Sequence, residues 1–155
     1  MNGSYLKHRQ QEIPPASVSG LASCEKPLDV TVISTSREAT SAALKVASRL
    51  ARGLGARLTL LLPQVVSYRL PLTRPQVDIS HLHRVARSLM PSASMESDLA
   101  VKVCLCRSLE DCLKRVLPAG SLVVMGGRGS WWARAERRLA RRVTALGNEV
   151  ILVLQ

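Results

Sequence analysis

Short apolar runs, separated by stretches of helical length, constrain the fold of this chain more than any other feature. The runs lie at Asp29–Ile33 and in the segments ARLTLLL, LAVKVCLC, SLVVMG and EVILVL. The last two are unbroken, which is typical of strands buried on both faces of a parallel sheet, whereas LAVKVCLC alternates and predicts an edge strand. Parallel neighbours need a crossover, usually a helix. The sequence therefore predicts an α/β domain with a five-stranded, mainly parallel sheet and helices on both faces.

Helical spacing fills the gaps between these runs. After the first run, Thr35 and Glu38 stand three residues apart, which predicts a capping box at the start of a helix. A second helical stripe stops before Pro91, and Ser108 predicts the start of a short third helix. Prolines at 63, 71 and 75 predict a loop directly after the second strand.

One folded domain preceded by a leader is the predicted organisation. The chain has 155 residues, of which 46% are apolar, and this is enough for a single core. Residues 1–27 contain prolines and serines with little apolar periodicity. We therefore expect a flexible leader over residues 1–27 and an α/β domain over residues 28–155.

Net charge and composition exclude several classes of function. The chain has a formal net charge of +11 and therefore attracts anions. It has two Trp, two Tyr and no Phe, too few for the aromatic platforms that stack on single-stranded bases. No apolar run approaches the roughly 20 residues of a membrane span, and the N-terminus lacks a signal-peptide pattern. We expect a cytoplasmic protein whose four cysteines are thiols.

No arrangement of catalytic or metal-binding residues is evident in the sequence. His81 and His83 lie two apart on a predicted helix, so their side chains diverge by about 200° and cannot share an ion. Cys104 and Cys106 share a face of one strand and Cys112 follows closely, but a zinc site needs about four converging ligands. Buried thiols are the favoured interpretation of these cysteines. We expect the chain not to be an enzyme.

Arginines dominate the last predicted helix. Residues 128–142 contain six Arg and one acidic residue, Glu136. On a helix the arginines fall on one arc and the apolar residues on another. Such a pattern is typical of a solvated face. It would also suit an acidic protein or a nucleic acid that docks through Arg134, Arg141 and Arg142.

Two long segments resemble a known family. The segment LDVTVISTSREATSAALKVASRLARGLGARLTLLL is similar to the opening strand, helix and strand of universal stress proteins (UspA-like), and SLVVMGGRGSWWARAERRLARRVTALGNEVILVL is similar to their closing half. The resemblance covers residues 28–155 and implies the strand order 3-2-1-4-5. It implies a non-catalytic, cytoplasmic regulatory or signalling module in the stress response, in many members a homodimer.

The resemblance also implies a nucleotide cleft where the strand order reverses, between strands one and four. Ligands of open α/β sheets bind at the carboxyl ends of the strands that flank such a reversal. Gly126 and Gly129 match the first half of the family's ATP-binding motif, whereas the later Gly-Ser or Gly-Thr is absent and Ser34 replaces the usual acid. The cleft is therefore expected to be degenerate, with ATP or another adenine nucleotide as its ligand. Its expected residues are Ser34, Thr35 and Ser36 on the nucleoside side, Gly126, Gly127 and Gly129 for close backbone approach, and Arg128, Ser130, Arg137 and Arg138 toward phosphate.

Two alternatives stay open from the sequence. The first is a dimeric interaction protein without a nucleotide, which uses the arginine face and pairs through the final strand VILVL. The second is a nucleic-acid-binding module. A Gly126→Val substitution is expected to leave the fold intact while it removes nucleotide binding, because a β-branched side chain fills the path of approach.

Overall fold

Five strands and four helices alternate along the described part of the chain, as predicted. The computed structural model describes residues 28–89, 99–129 and 134–155, so the predicted leader lies outside the described residues. The elements are β1 (Asp29–Ile33), α1 (Arg37–Leu54), β2 (Arg57–Val65), α2 (Ile79–Leu89), β3 (Leu99–Cys106), α3 (Leu109–Val116), β4 (Leu122–Gly127), α4 (Arg134–Ala145) and β5 (Glu149–Leu154). Among these helices none is both long and apolar enough to cross a membrane.

The sheet has the predicted strand order. Its order is β3-β2-β1-β4-β5, and every neighbouring pair is parallel. β3 lies at an edge, as its alternating sequence indicated. The strand order reverses between β1 and β4, which are direct neighbours with Ile33 beside Met125. The carboxyl ends of these two strands therefore lie side by side.

Helices cover both faces of the sheet and bury the central strands. On one face, α1 and α2 pack against a cluster that includes Val30 and Val32 of β1. On the other face, α3 and α4 pack against a cluster that includes Ile33 and Met125. All four of these side chains are fully buried, and this burial on both faces fits the unbroken apolar run of β4.

The start of α1 differs from the prediction by one residue. The helix is capped by Ser36, whose hydroxyl accepts a hydrogen bond from the Ala39 N–H at 3.4 Å. Thr35 is not the cap, because its hydroxyl donates instead to the carbonyl of Gly126 on β4 at 3.1 Å. The predicted capping box of Thr35 and Glu38 was therefore wrong, because the Thr35 hydroxyl is occupied by a hydrogen bond to a distant part of the chain.

The second strand is also longer than predicted. Pro63 lies within β2 beside Cys104 of β3, although the prolines had indicated a loop from residue 63 onward. Successive residues of a strand turn their N–H groups toward opposite neighbours, so residues two apart face the same neighbour. Leu61 bonds toward the β1 side, where its carbonyl accepts from the Ser34 N–H, so Pro63 faces the same side. β1 has already ended there, and the missing N–H of proline therefore costs no ladder bond.

Candidate functional site

A cleft of about 390 Å³ lies at the reversal of strand order, between the loop after β1 and helix α4. The loops after β1 and β4 meet through the hydrogen bond from Thr35 Oγ1 to the Gly126 carbonyl, at 3.1 Å. Ser130, an expected site residue, lies outside the described residues. The described residues that line the cleft are Thr35, Ser36, Leu109, Ala135, Glu136, Arg138, Leu139 and Arg142.

The loop after β1 is held by a network centred on Thr40. The hydroxyl of Thr40 accepts from the Thr35 N–H at 3.0 Å, donates to the Ser36 carbonyl at 2.6 Å and lies 3.5 Å from the Ser34 hydroxyl. Thr40 is fully buried in the first turns of α1. The Ser34 N–H is also occupied, because it donates to the Leu61 carbonyl at 2.9 Å. The loop therefore has a fixed shape, and Thr35 and Ser36 are its members that reach the cleft.

Two arginines of α4 form the opposite side of the cleft. Arg138 and Arg142 stand one helical turn apart and line it, whereas Arg137 lies outside the lining; all three are exposed. Lys114 lowers the pKa of the Glu110 carboxyl, and the Arg142 guanidinium adds to this shift from the rim of the cleft. Sequence reasoning included Arg138 but placed Arg142 on the surface. The i, i+4 spacing of the two residues was the available signal, because it puts them on one helical face.

The first two glycines of the predicted motif belong to the sheet. Gly126 and Gly127 are the last residues of β4, in register with Val153 and Leu154 of β5. A Cβ on Gly126 would lie 1.9 Å from the backbone oxygen of Ala39, because α1 crosses the strand at this point. Glycine is therefore required at position 126 by the packing of a helix on a strand. A Cβ on Gly127 would meet only side-chain atoms, at 3.4 Å or more.

The third glycine is bound to the last residue of the chain. The Gly129 N–H donates to the Gln155 carbonyl at 2.7 Å, and the Gln155 N–H donates to the Gly127 carbonyl at 3.1 Å. The N–H of Gly129 is thus already used within the fold and does not point freely toward a phosphate. Arg128 lies between these bonds, with its guanidinium 3.8 Å from the carboxylate of Glu38. Both of these charged side chains are exposed.

No family model and no curated protein matches the sequence. Solved structures do match the fold. A protein from the universal stress protein family from Burkholderia pseudomallei is 19% identical, with a TM-score of 0.54 over 81% of this chain and 94% of that chain. A universal stress protein in complex with cAMP is 13% identical, with a TM-score of 0.51 over 81% of this chain and 95% of that chain. The chain has the universal stress protein fold. The resemblance inferred from the sequence is thereby confirmed at the level of the fold.

Sequence reasoning missed one charged residue of the cleft, Glu136. The sequence indicated only that the negative charge of Glu136 offsets part of the positive charge of the arginines. In the structure Glu136 lines the cleft, and its Oε2 is buried with no hydrogen-bond partner among the described residues. The cleft therefore combines two guanidinium groups, two hydroxyls and one carboxylate.

The chemistry that these groups can perform is binding of an anion with adjoining hydroxyl groups. Guanidinium groups bind phosphate through charge-assisted hydrogen bonds, and a carboxylate accepts hydrogen bonds from sugar hydroxyls. Within residues 28–89, 99–129 and 134–155, no group of His, Cys, Asp or Glu is placed to hold a metal ion.

Proposed function

We propose that this chain is a non-catalytic regulatory module that binds an adenine nucleotide in the cleft between the loop after β1, the start of α3 and helix α4. One observation carries the proposal: the hydroxyl-bearing residues Thr35 and Ser36 share a cleft with Arg138 and Arg142, at the reversal of strand order. Open α/β sheets bind their ligands at this position. The universal stress protein that was solved in complex with cAMP has the same fold and supports the class of ligand.

A single phosphate group suits the cleft better than the chain of three in ATP. The N–H of Gly129 is held by Gln155, so the glycine turn offers less of a backbone cradle than the motif suggested. The charge in the cleft comes from Arg138 and Arg142, and Glu136 opposes further negative charge. We therefore propose AMP or a cyclic nucleotide as the preferred ligand, with Thr35 and Ser36 beside it.

Two matched double variants test this site. Arg138→Glu with Arg142→Glu removes the arginines of the cleft, while Arg137→Glu with Arg141→Glu makes the same charge change at positions of α4 outside its lining. Two charge-assisted contacts are worth about 3 kcal/mol or more together, so the first variant should weaken AMP binding at least about 100-fold. The control variant should bind within a few-fold of wild type.

Isothermal titration with AMP, cAMP and ATP measures these affinities, and chromatography of the recovered ligand checks that it stays intact. Equal losses in the two double variants would contradict the cleft and favour a summed surface field. Wild-type protein that binds none of the three nucleotides would overturn the proposed function. Conversion of the nucleotide would overturn its non-catalytic character.

A second candidate function uses the arginine face of α4 for a polyanionic partner. Arg134, Arg137 and Arg141 are exposed, and none of them forms an ion pair with another described residue. An acidic protein or a nucleic acid would bind such a face with strong salt dependence. Binding to heparin and duplex DNA across salt concentrations tests this role. Both double variants should then weaken binding similarly, because each removes charge from the same helix.

A homodimer through β5 is the assembly that we propose. β5 is an edge strand, its residues 150–153 are half-buried, and Leu154 is 51% exposed. The N–H of Gln155 points to β4, so the N–H of Leu154 points outward. Leu154→Pro should therefore weaken a dimer that pairs through this edge, while Leu154→Ala keeps the N–H as its control. Light scattering after size exclusion measures the molecular mass of each variant in solution.

The cytoplasm is the compartment that we propose. Cys104, Cys106 and Cys112 are all free in the structure. Thiols persist in compartments that contain abundant reductants, whereas oxidising compartments favour disulfides. Fractionation of cells that express the full chain tests this location.

A further inference from the structure

A second opening, of about 620 Å³, lies along the edge strand β3 between α2 and α3. It is a groove separate from the nucleotide cleft, and only Cys104 among the three described cysteines lines it. Cys104 is half-buried, whereas Cys106 and Cys112 are fully buried. The groove therefore gives solvent access to one thiol, with two more thiols behind it. Its lining residues are Leu61, Ile79, His83, Val101, Lys102, Val103, Cys104, Leu105, Arg115 and Val116.

The three thiols form one cluster where α3 packs on β3. Cys104 and Cys106 lie two apart on the strand and share a face. Cys112 lies one turn into α3, which packs on β3, and burial together with the neighbouring thiols of Cys104 and Cys106 raises its pKa. Cys106 also donates from its sulfur to the Gln64 carbonyl at 3.6 Å.

Strand geometry determines which thiols can pair. A disulfide needs two Cβ atoms about 3.5 to 4.5 Å apart, whereas residues two apart on one strand are separated by about 6.6 Å. Cys104 and Cys106 therefore cannot join each other without a distortion of β3. Cys112 lies beside both thiols, on the helix that packs against β3, so it is the partner for either one.

Two cationic side chains, Lys102 and Arg115, line the groove together with Cys104, and no carboxylate does so among the described residues. Burial raises the pKa of both Cys106 and Cys112, which disfavours the anionic form in which a sulfur attacks an electrophile. Attack by an oxidant is therefore directed to Cys104.

We propose that Cys104 is a peroxide-reactive thiol and that Cys112 resolves its oxidised form into an intramolecular disulfide. The Cys104 thiolate attacks a hydroperoxide, an S–O bond forms, the O–O bond breaks, and the leaving oxygen departs as water or alcohol after it takes up a proton. The Cys112 thiol loses its proton and attacks the sulfur of Cys104. The S–S bond then forms as the S–O bond breaks and water leaves. Two thiols are oxidised and one hydroperoxide is reduced.

Peptide mapping of the oxidised full-length protein tests the proposal without any substitution. The protein is treated with substoichiometric hydrogen peroxide, the remaining thiols are alkylated, and the peptides are identified by mass spectrometry without reduction. We expect a peptide pair linked through Cys104 and Cys112, with Cys106 recovered as the alkylated thiol. A bond between Cys106 and Cys112, or bonds mainly between chains, would overturn the assignment.

Three single variants assign the roles of the thiols. Cys104→Ser should slow peroxide-dependent thiol loss about tenfold or more, because it removes the accessible sulfur. Cys112→Ser should leave Cys104 as a sulfenic acid that dimedone traps. Cys106→Ser is the matched control, since it removes a buried member of the same cluster and should leave the disulfide intact. Oxidation of Cys104→Ser at the wild-type rate would overturn the proposal, and so would loss of the disulfide in Cys106→Ser.

Discussion

The cleft and the groove differ in what determines their place in the molecule. The cleft follows from strand order, because β1 and β4 end side by side whatever residues fill the loops. The groove follows from side chains, since it opens along an edge strand whose outward residues happen to include Lys102 and Cys104. Topology thus fixes where a ligand site can be, while composition decides what chemistry an edge offers.

The two sides of the cleft differ in a related way. The side formed by the loop after β1 is held by internal contacts, such as that of Thr35 with Gly126, and the adjoining loop after β4 is held by that of Gly129 with Gln155. The side formed by α4 offers exposed arginines that have no such contacts among the described residues. Substitutions on the first side should therefore change stability, and substitutions on the second should change binding.

Gly126→Val should have the largest effect on stability. The first Cβ atom would lie 1.9 Å from the Ala39 oxygen, so α1 must move away from β4. We expect the free energy of unfolding to fall by about 3 kcal/mol or more, as measured by urea denaturation. This replaces the expectation from the sequence that the variant leaves the fold intact.

Gly127→Ala is the control for that substitution. Its Cβ would make ordinary contacts, the nearest being Leu152 at 3.4 Å, so the loss should stay within about 1 kcal/mol. A Gly126→Val protein with wild-type stability would show that the strand and helix are not held this closely. The distinction between the two sides of the cleft would then fail.

Thr35→Val should have an intermediate effect. The substitution keeps the shape of the side chain and removes the hydrogen bond of 3.1 Å to Gly126. We expect a loss of about 1 kcal/mol in the free energy of unfolding, the usual contribution of one hydrogen bond. Ser34→Ala removes a longer contact of 3.5 Å and serves as the comparison, with a smaller loss. Equal losses in the two variants would argue against a special link between the loops.

The thiol cluster should make stability fall at alkaline pH. Burial raises the pKa of Cys112 above its ordinary value of 9.0, so above that pH the unfolded chain releases a proton that the folded chain retains. Stability is then fully present below about pH 9 and decreases as the pH rises. Cys112→Ala should flatten the decrease, as measured by urea denaturation at several pH values under reducing conditions. An unchanged slope would mean that the thiol titrates alike in both states.

The order of the strands and the place of the cleft were predictable from the sequence. Apolar runs indicated the strands, and the resemblance carried by residues 28–155 implied their order. The unbroken run of β5 nevertheless lies at an edge and is only half-buried. Thr35, Ser36 and Arg138 were expected at the cleft and line it. The prediction of the strand order succeeds because it depends on local patterns and on a topology with few alternatives. The binding role of the three residues stays a prediction.

Other features depend on distances between remote residues, which no local pattern records. Ser36 caps α1 because the hydroxyl of Thr35 is hydrogen-bonded to the carbonyl of Gly126, far along the chain. Pro63 fits within β2 only because β1 has already ended beside it, so the missing N–H of proline costs no hydrogen bond. Arg142 and Glu136 reach the cleft because of how α4 is rotated on the sheet. Each becomes visible only when the packing of the elements is known.

The close approach of α1 to Gly126 has a consequence for how such sequences are compared. Selection for a folded chain alone would keep glycine at position 126, whether or not a nucleotide is bound, because every other residue brings a Cβ into the helix backbone. The same holds at position 129, where a Cβ would lie 2.7 Å from the oxygen of Gln155. A glycine spacing shared with nucleotide-binding relatives is therefore evidence of shared architecture. Evidence that two such proteins share a ligand has to come from side chains that the packing of the fold does not itself require.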